Sequence, residues 1–172
     1  MEHAEVVRRM ILFDKGDARR IQHFLKVYMF SAMIGTMENL PPEQQEILEI
    51  AAILHDIGIH PAENKYGFSN GKLQEQEGPA YARALLEEVG GYAPELIDRV
   101  CFLIAHHHTY EGVDGPDWQI LLEADFLVNS FEKNMPEEAI KKMRSRVFKT
   151  GSGIAMLNNQ YGYEEYKDFR RR

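Results

Sequence analysis

Histidine and aspartate recur inside apolar helical stretches at three widely separated places in the chain. His55 and Asp56 follow the run Ala51-Ala52-Ile53-Leu54, His23 sits in Gln22-His23-Phe24-Leu25, and Asp125 lies in Leu122-Glu123-Ala124-Asp125-Phe126-Leu127. An ionised group in such surroundings costs several kcal/mol unless something compensates it. A divalent metal compensates both residue types at once, and a mixed His/Asp set suits ions such as Mn, Fe, Zn, Mg, Co or Ni. Any one of these residues alone reads as ordinary packing or helix surface. Together, His23, His55, Asp56 and Asp125 make four candidate metal ligands. The His55-Asp56 pair also stands where a helix ends, so unpaired carbonyls and the negative end of the dipole favour a cation beside it.

The elements that must position these residues are helices. Apolar residues recur at helical spacing nearly throughout, without the alternation of a hairpin and without an internal repeat, so the expected fold is all-α, a compact bundle of about six to eight helices. A first helix is expected over about Glu2 to Phe13, stopping at Asp14-Lys15-Gly16; Asp17 caps a second that buries Ile21, Phe24, Leu25, Tyr28 and Met29. Asn39-Leu40-Pro41-Pro42 ends it, and a third helix runs from Pro42 or Glu43 to His55-Asp56. Residues His60 to Lys72, with Pro61, Gly67, Asn70 and Gly71, read as an irregular loop. Further helices are expected over about Gln76 to Val89, Pro94 to His108 and Pro116 to Lys133, then from Pro136, and last from a Ser152 cap to Gly162. The tail Asp168 to Arg172 reads as frayed, and Tyr161, Tyr163, Tyr166 and Phe169 as packing against the body or a second subunit.

At 172 residues the chain is long enough to bury a core as one domain over 1–172, with a motif-bearing core at about 18–132 and a helical extension at 133–172. A net charge of -7 and a pI near 5.5 argue against a nucleic-acid polymer as partner. Small anionic substrates stay open to a site where a metal or local Arg and Lys reverse the potential. The lone cysteine, Cys101, lies in Val100-Cys101-Phe102-Leu103-Ile104 and reads as packing. With no signal-peptide core and no apolar run of spanning length, the expectation is a cytoplasmic protein with no membrane partner. Gly67 to Leu73 faintly echoes a phosphate-binding loop, but its glycine spacing is short and Leu73 replaces the hydroxyl residue.

His23, His55-Asp56 and Asp125 resemble the H…HD…D signature of the HD-domain superfamily of metal-dependent phosphohydrolases. Arg20-Ile21-Gln22-His23 is similar to its first-histidine helix, Ile53 to Gly58 to its central motif, and Glu123 to Leu127 to its last aspartate. The resemblance implies an HD-like helical bundle, a divalent metal held by those four residues, and hydrolysis of a phosphate ester or anhydride, with a nucleotide as the expected substrate. In two-metal relatives, histidines at a helix end complete a second site; here Ile104-Ala105-His106-His107-His108 is similar, so His106 and His107, with Glu77 as an oxygen donor, are the candidates for a second ion, His107 ahead of His106. Cyclic-dinucleotide phosphodiesterases of the superfamily carry a histidine where Gln76-Glu77-Gly78-Pro79 stands, a lysine where Ile59 stands, and a Gly-Tyr-Pro motif where this chain has Gly115-Pro116-Asp117. The nucleoside monophosphatases carry glutamate at the position of Ile59.

The resemblance implies that an ion held there would lower the pKa of a water and polarise a phosphate oxygen, the chemistry that hydrolysis at phosphorus needs. The candidate catalytic groups are Asp56, with Glu77 and His107 as proton carriers and Glu63 behind them. Arg20, Lys65, Lys72 and Arg83 read as surface charges, and His60 as a rim residue. Two alternatives remain in view: a di-iron oxygenase of the same superfamily, and a non-catalytic metal-binding sensor or interaction module. Homodimers are common among small helical enzymes of this kind.

Overall fold

The computed structural model describes residues 3–163. Tyr166, Phe169 and the Asp168–Arg172 tail lie outside them. Nine helices run in order through the described residues: α1 Ala4–Phe13, α2 Ala18–Met37, α3 Pro42–Leu54, α4 Ile59–Tyr66, α5 Gly71–Val89, α6 Pro94–Ile104, α7 Pro116–Glu132, α8 Glu137–Val147 and α9 Gly151–Tyr161. None is long and apolar enough to cross a membrane.

Two helices form the centre. On α3, Ile47, Leu48 and Ile50 through Leu54 are all buried, and on α7 so is every residue from Ile120 to Val128. A helix apolar on all sides needs neighbours on all sides. α3 accordingly packs on α1, α2, α6 and α7, while α2 lies against both α3 and α7. α5 covers α6 on one flank, and α8 and α9 close over α7 on the other. His23 on α2, the His55-Asp56 pair at the end of α3 and Asp125 on α7 are therefore carried by mutually packed helices.

The expected loop over His60–Lys72 is instead mostly helix, which raises the helix count to nine. Pro61 falls in the first turn of α4, where its missing N–H has no partner to lose. Gly67 is left-handed with φ of 79° and closes α4 with its N–H on the Glu63 carbonyl. Asn70 starts α5 early by accepting from the Leu73 N–H, so that helix begins at Gly71 rather than Gln76. Two further boundaries differ. α6 stops at Ile104, leaving His106–His108 in a turn, and the side chain capping α9 is Thr150, not Ser152. Asp17 does cap α2, accepting from the Arg20 N–H at 3.0 Å.

Gly58, just past the His-Asp pair, is needed for close approach rather than for a turn. A Cβ there would come within 2.6 Å of the Gln74 carbonyl and 2.7 Å of the Gly78 nitrogen, so any larger residue would push α5 away from the end of α3.

Candidate metal centre

Three helices bring four donors to one point. His23 Nε2 and His55 Nε2 lie 3.2 Å apart. Asp125 Oδ1 stands 3.2 Å from the first and 3.5 Å from the second, and Asp56 Oδ2 is 3.6 Å from both. His55 is fully buried, and His23 and Asp125 are 6% and 5% exposed. Burial here follows from the helices: α3 and α7 are enclosed on every side, so polar groups on them face one another or nothing.

The protons on the far side of each ring settle what the near side offers. His55 Nδ1 donates to the Ala52 carbonyl at 2.8 Å, and His23 Nδ1 donates to Glu132 at 2.9 Å. Each Nε2 therefore directs a lone pair into the cluster, where two carboxylates already concentrate negative charge. Protein groups alone answer this only by binding protons. Burial pushes the His23 imidazole down, yet Asp125, Asp56 and Glu132 outweigh it and raise it to about 9. His55 moves up against its burial for the same reason, through Asp56 and Asp125. Burial opposes ionisation of Asp56 and Asp125 too, but the neighbouring imidazoles hold both carboxyls below the usual range. A divalent cation replaces those protons and matches all four donors, so the residues fit the ion that the sequence implies.

A second donor set adjoins the first. Asp56, His107 and His108 each offer an atom within 4.8 Å of the others, as do His23, His55 and Asp56. Asp56 belongs to both sets. His107 is buried, donates Nδ1–H to the Ile104 carbonyl at 2.7 Å, and puts Nε2 3.1 Å from Asp56 Oδ1. His108 bonds Gln74 Oε1 through Nε2, and its backbone N–H donates to Glu75. Burial and the adjacent His107 ring lower the His108 imidazole to about 4.

Two sequence candidates do not join this set. Glu77 is engaged by Lys65 Nζ at 3.0 Å and by the Tyr66 hydroxyl at 2.9 Å, because α4 replaces the expected loop and brings those donors alongside. His106 donates to the Phe102 carbonyl and lies against the Phe102 and Trp118 rings, with centroids 4.2 and 5.2 Å away, since the turn after α6 aims three successive imidazoles in three directions. Two contributors, Glu132 and Gln74, are not among the sequence candidates, and of the histidine run His108 joins His107 where His106 does not. Glu132 was findable, because it follows Asp125 by seven residues and thus shares its helix face.

A cavity of about 540 Å³ opens beside the donors. His23, Asp56 and His108 form part of its wall, with Arg19, Arg20 and Lys133. Arg20 is held by His60 at 3.1 Å, Asp17 at 3.3 Å and Glu63 at 3.5 Å. Asp14, 1% exposed, backs this group 3.3 Å from His60 Nε2, and burial pushes its carboxyl up to about 6.

Comparison with known proteins agrees with this geometry. The family model for the HD domain matches residues 20–144. The crystal structure of a predicted HD superfamily hydrolase from an uncultured Thermotogales bacterium is similar to the chain, with 25% sequence identity and a TM-score of 0.63. The match covers 94% of this chain and 84% of that one. No curated protein matches the chain.

Proposed function

The chain belongs to the HD-domain family, and from that premise we propose that it is a metal-dependent phosphohydrolase acting on a small phosphate ester or anhydride, a nucleotide being the substrate class of choice. One observation carries the reading: two imidazole lone pairs and two carboxylates converge within 3.6 Å at the wall of a solvent-reached cavity. His23, His55, Asp56 and Asp125 would hold the ion. When bound, a divalent metal supplies Lewis-acid polarisation of a phosphoryl oxygen and acidifies water.

The protein's own groups supply the rest. Glu132 and the Ala52 carbonyl fix the His23 and His55 rings with Nε2 facing inward. His107, 3.1 Å from Asp56, is placed to take or return a proton at the edge of that carboxylate. Arg20, held in place by Asp17, His60 and Glu63, is part of the cavity wall, a fixed positive charge that suits a phosphoryl oxygen. Glu77, engaged by Lys65 and Tyr66, has no part in this scheme.

A phosphate-release screen over nucleotides and simple phosphate esters with Mn, Co, Ni or Mg tests the reading. Metal-dependent turnover by the wild type and its loss in Asp56→Ala support it; equal activity in the variant removes the site. The second donor set offers a place for a second ion, which a rival reading, a di-iron oxygenase, requires. Two irons per chain with oxygen consumption would establish that rival instead.

A further inference from the structure

Fixed charges around the cavity divide into those already matched and those left over. Asp17 pairs with Arg20, Glu132 pairs with Lys26 and His23, and Asp56 faces the donor cluster. Arg19 and Lys133 also line the cavity, both are exposed, and neither forms an ion pair among the described residues. Their positions follow from helix periodicity. Arg19 lies one turn before His23 on α2, and Lys133 lies two turns after Asp125 along α7, with Asn129 between them donating to Asp125 at 2.7 Å. At 1.5 Å per residue the two cations stand about 6 and 12 Å along their helix axes from the metal-facing donors. Both therefore line the same cavity as the metal-facing donors, from two different helices.

The cavity is also almost free of surfaces that grip a flat ring. Among the described residues lining it, Ile59 is the single apolar side chain, and the only rings are those of His23 and His108, which the donor cluster engages. A nucleobase would find polar and charged walls instead of a stacking partner.

We propose that Arg19 and Lys133 form a clamp for a second anionic group of the substrate, so that the enzyme takes phosphoryl compounds carrying two phosphates, a nucleoside diphosphate being the test case, and is indifferent to the base. The inference rests on the phosphohydrolase reading, since it takes the inner donors as the place of the scissile phosphoryl group. The reaction needs no further reactant: water attacks the terminal phosphorus, the P–O bond to the bridging oxygen breaks, and that oxygen leaves with the electron pair and a proton.

Two arms test it. In the kinetic arm, ADP, UDP and p-nitrophenyl phosphate are compared on the wild type and an Arg19→Ala/Lys133→Ala double variant, with Arg19→Lys/Lys133→Arg as the conservative control. The KM for both diphosphates should rise about tenfold more than that for the monoester, the control should recover most of the loss, and ADP and UDP should differ by less than about threefold. Equal shifts for all three substrates overturn the clamp. The binding arm stands apart from turnover: α,β-methylene-ADP should bind the metal-loaded wild type about tenfold more tightly than AMP, an advantage that the double variant loses. If nothing is hydrolysed but this advantage appears, the phosphohydrolase reading fails while the clamp survives; if AMP and the analogue bind alike, the clamp is overturned.

Discussion

Glu123 and Asp125 are two residues apart on α7, both buried, and oppositely employed. Glu123 accepts from the Lys149 and Thr150 backbone N–H groups at 2.7 and 3.0 Å, from Gln119 at 2.7 Å and from the Thr150 hydroxyl. Every partner brings its own proton, and the carboxylate ties the link between α8 and α9 to the centre of the bundle. Asp125 faces the imidazoles of His23 and His55, whose outer nitrogens already spend their protons on Glu132 and Ala52. Burial pushes the Glu123 carboxyl up, its donors reversing only part of that. The Asp125 carboxyl is held well below its usual range in spite of burial. Burial of a carboxylate is thus no mark of function by itself. What separates the two is whether the facing groups arrive with protons or with lone pairs.

The sharpest way to break this contrast is to remove one carboxylate at a time. Asp125→Ala or Asp56→Ala should abolish metal retention and lower kcat/KM by at least about a thousandfold, matching the several kcal/mol a metal lends a phosphoryl transition state. Glu123→Ala should leave the metal content intact but destabilise the fold by about 3 kcal/mol, because four donors lose a buried acceptor; chemical denaturation measures it. Loss of metal in the Glu123 variant would erase the distinction.

Asp14 supplies a third buried carboxylate, pushed up as Glu123 is, with one oxygen left without a partner and a carboxyl raised to about 6 from the usual 3.8. Between about pH 4 and pH 6 the folded protein keeps a proton that the unfolded chain releases. Stability should therefore fall as pH rises through that window, by up to roughly 3 kcal/mol, and change little from this group above it. Asp14→Asn should flatten that slope, and an unchanged pH–stability curve would refute the assignment. The smallest expected effect belongs to Glu132→Gln, which leaves all four inner donors in place but weakens the hold on the His23 ring. Metal affinity should drop about 10- to 100-fold, measured by competition with a chelator.

Much of this was legible in the sequence. His23, His55, Asp56 and Asp125 stood out because each interrupts an apolar helical run, and periodicity marked the all-α class. What periodicity could not show is where a punctuating residue is harmless. Pro61 in a first turn and Gly67 in a left-handed cap looked like loop and belong to α4. That helix also takes Glu77 out of the donor set, because its carboxylate meets Lys65 and Tyr66 only once α4 exists. The three histidines 106–108 were visible, but their directions depend on α6 ending at Ile104, a boundary that local propensity leaves open by a residue or two.

Imidazole lone pairs and carboxylates converge from α2, α3 and α7 on a point suited to a divalent ion. Equilibrium dialysis of metal-stripped wild type, Asp125→Asn and Glu123→Gln against Mn²⁺ tests it most directly. At least one tightly held ion per chain is expected in the wild type and in Glu123→Gln, and none at the same concentration in Asp125→Asn. Undiminished binding in Asp125→Asn, or no tight binding in the wild type, would contradict it.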